Sequence, residues 1–253
     1  MTLKNTSPIY YPEIDIIRGI TVAAMVLFHT CFQLTFIFRS HVISNLWFWQ
    51  GFPILISGSF LMLVGLSLYV GEKRGKYSAI QPLLKRSGFI FGLGMILTGI
   101  TLIGQQGLYV YFGILHCIGL STLISYYTLP WPTYVNLLAG ILIIGLGIPQ
   151  QLLLFPPCDN VWTFFVWPSR SPLFHHLDYY PLIPALGFVF IGIFLGKVLY
   201  THGQRTFNLP IPKHVLTYTA SMRWLGRHSL LVYCIHTPII FVVLYIMRYL
   251  QKL

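Results

Sequence analysis

Residues 229–249 read SLLVYCIHTPIIFVVLYIMRY, and their one charged side chain is Arg248 near the end. An apolar stretch of about 20 residues is long enough, as a helix, to cross a hydrocarbon core about 30 Å thick. The segment lacks the alternation of a barrel strand and runs about twice its length, which leaves the helix as the spanning structure. Working outward, similar stretches lie near 16–38, 51–70, 83–104, 108–127, 133–153 and 181–200. The expected fold is therefore all-α: a polytopic transmembrane bundle of about seven helices in one membrane-embedded domain, residues 1–253.

Composition agrees with this frame. Of 253 residues, 56% are hydrophobic and 8% charged, whereas a soluble domain carries about 25% charged residues. The net charge of +11 would suit nucleic acid, but its distribution excludes that partner. With the N-terminus inside, Lys4, Arg18, Lys73, Arg74, Lys76, Lys85, Arg86, Lys197, Arg205, Lys213, Arg223 and Arg227 fall on the cytoplasmic side. Only Arg39, Arg170, Arg248 and Lys252 fall outside. This positive-inside bias orients the chain N-terminus in and C-terminus out. Residues 1–15 are polar and do not read as a removable signal peptide. The cysteines show no CxxC spacing and no disulfide framework.

Two long loops are expected, an outer one at about 154–180 and a basic inner one at about 201–227. Small residues recur at helix-packing spacing, Gly88 with Gly92 and Gly192 with Gly196, which lets helix backbones approach closely in lipid.

Chemistry is read from polar groups placed where lipid disfavours them, at roughly 2.5–3.5 kcal/mol for a full charge at a span's centre. In the first span Asp15, Arg18, His29 and Gln33 fall within a wedge of about 60° at 100° per residue. Asp15 and Arg18 are spaced to pair, and His29 lies about 16 Å further along. In the fourth span His116 shares a face with Tyr109 and Phe112. In the last, Ser229, Tyr233 and His236 share a face. Pro238 removes the donor for the Cys234 carbonyl, which predicts a kink beside His236. Before the sixth span, the His175-His176-x-Asp178 run matches no known ligand set. No metal is expected there, and Asp178 is expected to orient a histidine or a substrate amine.

Four segments carry a resemblance: Ile14-Asp15-Ile-Ile-Arg18-Gly19 with Met25-x-x-x-His29; Tyr111-Phe112-Gly113-Ile114-Leu115-His116; Asp178-Tyr179-Tyr180-Pro181-Leu182-Ile183-Pro184; and Leu225-Gly226-Arg227-His228-Ser229 with Tyr233 and His236-Thr237-Pro238. In this order, over about residues 13–245, they resemble the membrane-embedded catalytic domain of heparan-alpha-glucosaminide N-acetyltransferases and their bacterial relatives. The resemblance implies acetyl transfer from cytosolic acetyl-CoA to a sugar amine or hydroxyl at the outer face. The animal enzymes carry an asparagine where His29 stands, and their catalytic histidine follows about a dozen residues on, near His41. The general base is thus sought among His29, His41, His116 and His236, with Asp178 beside them. Tyr233 or Ser229 would serve as donor to the oxyanion. Arg18, held by Asp15, and Lys85 with Arg86 would meet the phosphates of CoA. The expected partners are membrane lipid, acetyl-CoA and a cell-envelope glycan acceptor, with a homodimer as a further expectation and a bacterial inner membrane as the location. The competing expectation is a permease for a small solute or anion, since intramembrane His, Asp and Arg also line substrate pathways.

Overall fold

The computed structural model describes residues 10–39, 45–77, 79–104, 109–151, 165–167, 178–208, 210 and 212–250. Among them are nine α-helices: α1 Pro12–Phe32, α2 Leu46–Lys73, α3 Ile80–Gly104, α4 Ile114–Tyr126, α5 Thr133–Gln151, α6 Leu182–Leu199, α7 Lys213–Tyr218, α8 Ala220–Arg227 and α9 Ser229–Leu250. No strand occurs among the described residues; a single isolated parallel bridge joins Phe112 and Tyr179.

Among the described residues five helical stretches are long and apolar enough to cross a membrane: Pro12–Phe36, Leu46–Lys73, Ile80–Ile103, Leu182–Leu199 and Ser229–Leu250. Two shorter apolar helices, Ile114–Tyr126 and Thr133–Gly147, complete the set. Large apolar side chains such as Ile100 and Ile103 of α3, and Val242 and Ile246 of α9, stand exposed. Water penalises such faces and lipid accepts them, so the chain is an integral multi-pass membrane protein.

Among the described residues each of the seven expected stretches contains a helix, but five rather than seven are long and apolar enough to span a membrane, and two further features depart from expectation. The helix expected over 108–127 begins only at Ile114. Gly113 is extended at φ −83° and ψ −178°, and the Phe112 carbonyl accepts the Tyr180 N–H at 2.9 Å. Residues 109–113 are thereby held outside the helix. The stretch expected as an inner loop at 201–227 is largely structured, containing α7 and α8. Most of the long outer loop, including His175 and His176, lies outside the described residues.

Sequence explains the local starts. Pro12 occupies the first turn of α1, where its missing N–H has no intrahelical partner to lose. Glu13 and Asp15 in that turn complement the helix dipole. At its other end α1 runs into a π-helical turn, Gln33–Ile37, in which the Phe38 N–H reaches the Gln33 carbonyl.

Contacts divide the chain into two units, Met1–Ile56 with Leu209–Leu253, and Ser57–Asn208. In the first, α1 lies against α8 and α9. In the second, α5 packs on α6 and α4 on α3 and α6, around a core of Leu61, Phe112, Cys117, Leu182, Ala185 and Val189. Backbones come close there through glycine. A β-carbon on Gly192 would lie 2.0 Å from the Met62 carbonyl oxygen, whereas Gly88 and Gly92 meet nothing within 4 Å. At the end of this unit the Lys197 ammonium donates to the Asn136 amide oxygen at 2.6 Å and to the Trp131 carbonyl, tying the α4–α5 turn to α6.

Candidate functional site

In the first unit the N-terminal end of α1 is fastened to α8 by charge and by backbone contact. The Asp15 carboxylate accepts from Arg18 at 3.2 Å with one oxygen and from Arg227 at 3.3 Å with the other. Arg227 also donates to the Tyr10 hydroxyl at 2.8 Å and lies over its ring. The Tyr10 hydroxyl, and after it the Asp15 carboxylate, raise the pKa of the Arg227 guanidinium. Beneath these charges, a β-carbon on Gly19 would lie 1.9 Å from the Met222 carbonyl oxygen, and one on Gly226 2.0 Å from that of Asp15. The expected Asp15–Arg18 pair is present. Arg227 is its third member, and only a contact between distant segments could disclose it.

Further along α1, His29 and His236 come together with ring centroids 4.7 Å apart and planes at 82°. Hydrogen bonds fix the proton on each neutral ring. His29 Nδ1 faces the Met25 carbonyl at 2.9 Å; a carbonyl only accepts, so Nδ1 carries the hydrogen and Nε2 the lone pair. No partner occupies His29 Nε2 among the described residues. His236 Nδ1 likewise donates to the Tyr233 carbonyl at 2.7 Å and to that of Val232 at 3.1 Å. Its Nε2 accepts from the Thr237 hydroxyl at 3.1 Å.

The cluster closes through Gln33, which is 2% exposed and whose amide nitrogen donates to the Thr237 carbonyl at 3.0 Å. Gln33 belongs to the expected polar wedge of the first span, and its place one turn beyond His29 is the sequence signal for its membership of this cluster. Tyr233 sits one turn before His236, with ring centroids 5.7 Å apart. Ser229 opens α9 two turns from His236.

In the second unit His116 and Asp178 meet at the start of α4. Asp178 accepts the Ile114 N–H at 3.2 Å, capping the helix from a distant segment and opposing its dipole with a full charge. His116 Nδ1 accepts the Gly113 N–H at 3.2 Å. The neutral His116 ring therefore carries its hydrogen at Nε2, the reverse of His29. This Nε2 is buried without a partner among the described residues. Phe112 stacks on the ring at 5.6 Å and Phe91 meets it edge-on at 5.0 Å. The expected shared helical face of Tyr109, Phe112 and His116 does not form, because Tyr109 and Phe112 precede α4. Nearby, burial and the Asp178 charge push the Tyr180 hydroxyl above its ordinary range.

Lys85 and Arg86 are exposed near the start of α3, where Arg86 donates to the Tyr77 hydroxyl. Arg86, Tyr77 and Thr122 share a cavity of about 20 Å³ with apolar side chains of α2, α3 and α4, room for about one water. His41 lies outside the described residues.

The chain matches the family described as heparan-alpha-glucosaminide N-acetyltransferase, catalytic, over residues 11–238. No curated protein and no solved structure matches it. The matched span runs from the residue before α1 to Pro238 and takes in the polar clusters described above, with Tyr10 alone one residue outside it. The chain thus belongs to the heparan-alpha-glucosaminide N-acetyltransferase catalytic family.

Proposed function

We propose that this protein is a transmembrane acetyltransferase that moves an acetyl group from cytosolic acetyl-CoA to an amine or hydroxyl of a cell-envelope glycan at the opposite face. His29 is the general base. The observation that carries this reading is the state of its ring: Nδ1–H is committed to the Met25 carbonyl, and Nε2 holds an unoccupied lone pair. Acyl transfer needs a group that takes the acceptor's proton as its nitrogen or oxygen attacks the thioester, and histidine is the usual choice. His236 is less suited, because the Thr237 hydroxyl already occupies its lone pair. His116 presents N–H where a base needs a lone pair.

The Tyr233 hydroxyl, one turn from His236, is the proposed donor to the oxyanion, with Ser229 as the alternative on the same helix. Lys85 and Arg86 are the proposed cations for the donor's phosphates. Arg86 has a neutral hydroxyl for a partner and keeps its charge available, whereas Arg18 is paired with Asp15.

The test is direct. Purified protein supplied with labelled acetyl-CoA and glucosamine should form N-acetylglucosamine, and His29→Ala should abolish this. Full activity in His29→Ala overturns the base assignment. Accumulation of a labelled solute in proteoliposomes without acetyl-CoA, and no transfer with it, would replace the enzyme by a permease.

A further inference from the structure

We propose that Lys197 anchors an anionic phospholipid, one whose headgroup phosphate carries no balancing amine, where α6 ends beside the α4–α5 turn. The site needs only the membrane placement of the chain and stands apart from acetyl transfer.

Lys197 is a cation without an anion. It lies in the last turn of α6, within an apolar span. Its ammonium has three hydrogens. One goes to the Asn136 side-chain oxygen at 2.6 Å and one to the Trp131 carbonyl. Both acceptors are neutral, and the third hydrogen has no partner among the described residues. Two other cations at span ends are balanced, Arg18 by Asp15 and Lys73 by Glu72, each at 3.2 Å.

A lysine near the end of a span ordinarily snorkels, its long stem carrying the charge out to water. Lys197 could do so only by leaving Asn136. That side chain is fully buried and is itself fixed, its NH₂ group donating to the Thr128 carbonyl at 3.3 Å. The Thr128 carbonyl only accepts, so the amide oxygen of Asn136 is turned toward Lys197. Hydrogen bonding alone does not call for a charge here, because a neutral side-chain amide donates to the same oxygens. The negative end of the α6 dipole supplies only about half a charge. A full counter-charge has to come from outside the protein.

Depth says which anion is at hand. Tyr127, Trp131 and Tyr134 stand exposed about the α4–α5 turn, and tryptophan and tyrosine collect at the level of lipid headgroups. The Trp131 ring meets Phe190 of α6 edge-on, with centroids 5.9 Å apart, so the turn is packed on α6. From Tyr134 one face of α5 continues through Leu138, Ile141 and Leu142, all exposed, at the spacing of a helical stripe. That stripe suits acyl chains. At the headgroup layer the abundant anion is the phosphodiester. A zwitterionic headgroup brings its own cation, whereas a headgroup without an amine brings net negative charge.

The test is native mass spectrometry of the full chain released from bilayers of equimolar phosphatidylglycerol and phosphatidylcholine with matched acyl chains. It reads the ratio of the two lipids in the most tightly held position. Wild type should favour phosphatidylglycerol by about fivefold, the worth of one cation at a membrane surface. Lys197→Gln, which keeps donors but not charge, should bring the ratio to within about twofold of one. Asn136→Asp should do the same by supplying the missing anion in place, and it reads the same ratio where Lys197→Gln is not recovered folded. Lys76→Gln, which removes an exposed cation elsewhere, should leave the preference intact. A wild-type ratio near one overturns the site. A preference that survives both Lys197→Gln and Asn136→Asp also overturns it, because Lys197 is then only a tie between α6 and the turn. Displacement of phosphatidylglycerol from wild type by inorganic phosphate would make a free anion the ligand and overturn the lipid.

Discussion

Gly226 of α8 lies against the main chain of Asp15 so closely that a β-carbon on it would sit 2.0 Å from the Asp15 carbonyl oxygen. The same interface is mirrored by Gly19 on α1, pressed against the carbonyl of Met222. Two sequence motifs far apart in the chain, around Asp15–Gly19 and Met222–Gly226, thus meet in one backbone contact, and each supplies the glycine that permits it.

Substituting either glycine should therefore separate α1 from α8. A real β-carbon never stands 2.0 Å from an oxygen, so Gly226→Ala and Gly19→Ala require backbone movement and should cost about 1–3 kcal/mol, the usual penalty for overpacking. Gly88→Ala is the contrast, because nothing lies within 4 Å of that site. There the gain in helix propensity, up to about 1 kcal/mol, is unopposed. Unfolding midpoints in detergent should fall for the first two variants and hold or rise for the third.

Charge secures the same contact unevenly. The Asp15 side chain is 13% exposed and that of Arg18 is 22%, but that of Arg227 is 51% exposed. Solvent screening makes the Arg227 arm worth little, below about 1 kcal/mol, while the more enclosed Arg18 arm loses more when its partner is neutralised. Asp15→Asn should cost about 1–3 kcal/mol. Double-mutant cycles with Arg18→Gln and Arg227→Gln in detergent should give a larger coupling for Arg18. Raised salt should erode the Arg227 coupling first. Equal couplings would show that exposure does not set the balance.

These residues mark how far the sequence could be read. Asp15 with Arg18 was legible because three residues along a helix fix their spacing whatever else the chain does. Arg227 was not, because its partner lies 212 residues away and only tertiary packing joins them. Apolar length revealed seven helical stretches, but the true start of α4 was hidden. It depends on the Phe112 carbonyl being taken by Tyr180, a contact with no local periodicity. The two glycine pairs looked alike in sequence, and only Gly192 and Gly196 found a neighbour. Histidine positions were visible as breaks in the apolar pattern. Their tautomers, which separate a base from a donor, follow from backbone carbonyls and amides that no residue code records.

The start of α4 offers a prediction of its own. Asp178 accepts the Ile114 N–H, so Asp178→Ala removes a helix cap and should cost about 0.5–2 kcal/mol. Asp178→Asn keeps an accepting oxygen and should cost less. Gly113→Ala would bring a β-carbon to 2.4 Å from that carboxylate and should displace it, mimicking Asp178→Ala. Hydrogen exchange read by mass spectrometry should speed up at the first turn of α4 in Asp178→Ala and Gly113→Ala alike. Unchanged protection in Gly113→Ala would mean the carboxylate has room to step aside without releasing the helix.

The opposite tautomers of His29 and His116 separate chemistry from structure. Removing a general base costs roughly 10²–10⁴-fold in rate, and the missing proton acceptor is a small molecule that can be returned from solution. His29→Ala should therefore lose acetyl transfer and regain part of it with added imidazole, in proportion to the basicity of a series of substituted imidazoles. His116 holds the Gly113 N–H, stacks on Phe112 and is met edge-on by Phe91, so His116→Ala removes a cap and opens a cavity. Its loss should appear as a lowered unfolding midpoint, and imidazole in solution should not restore its rate, because the defect is a loosened helix start and not an absent lone pair. Rescue of His116→Ala together with no rescue of His29→Ala would reverse the two assignments.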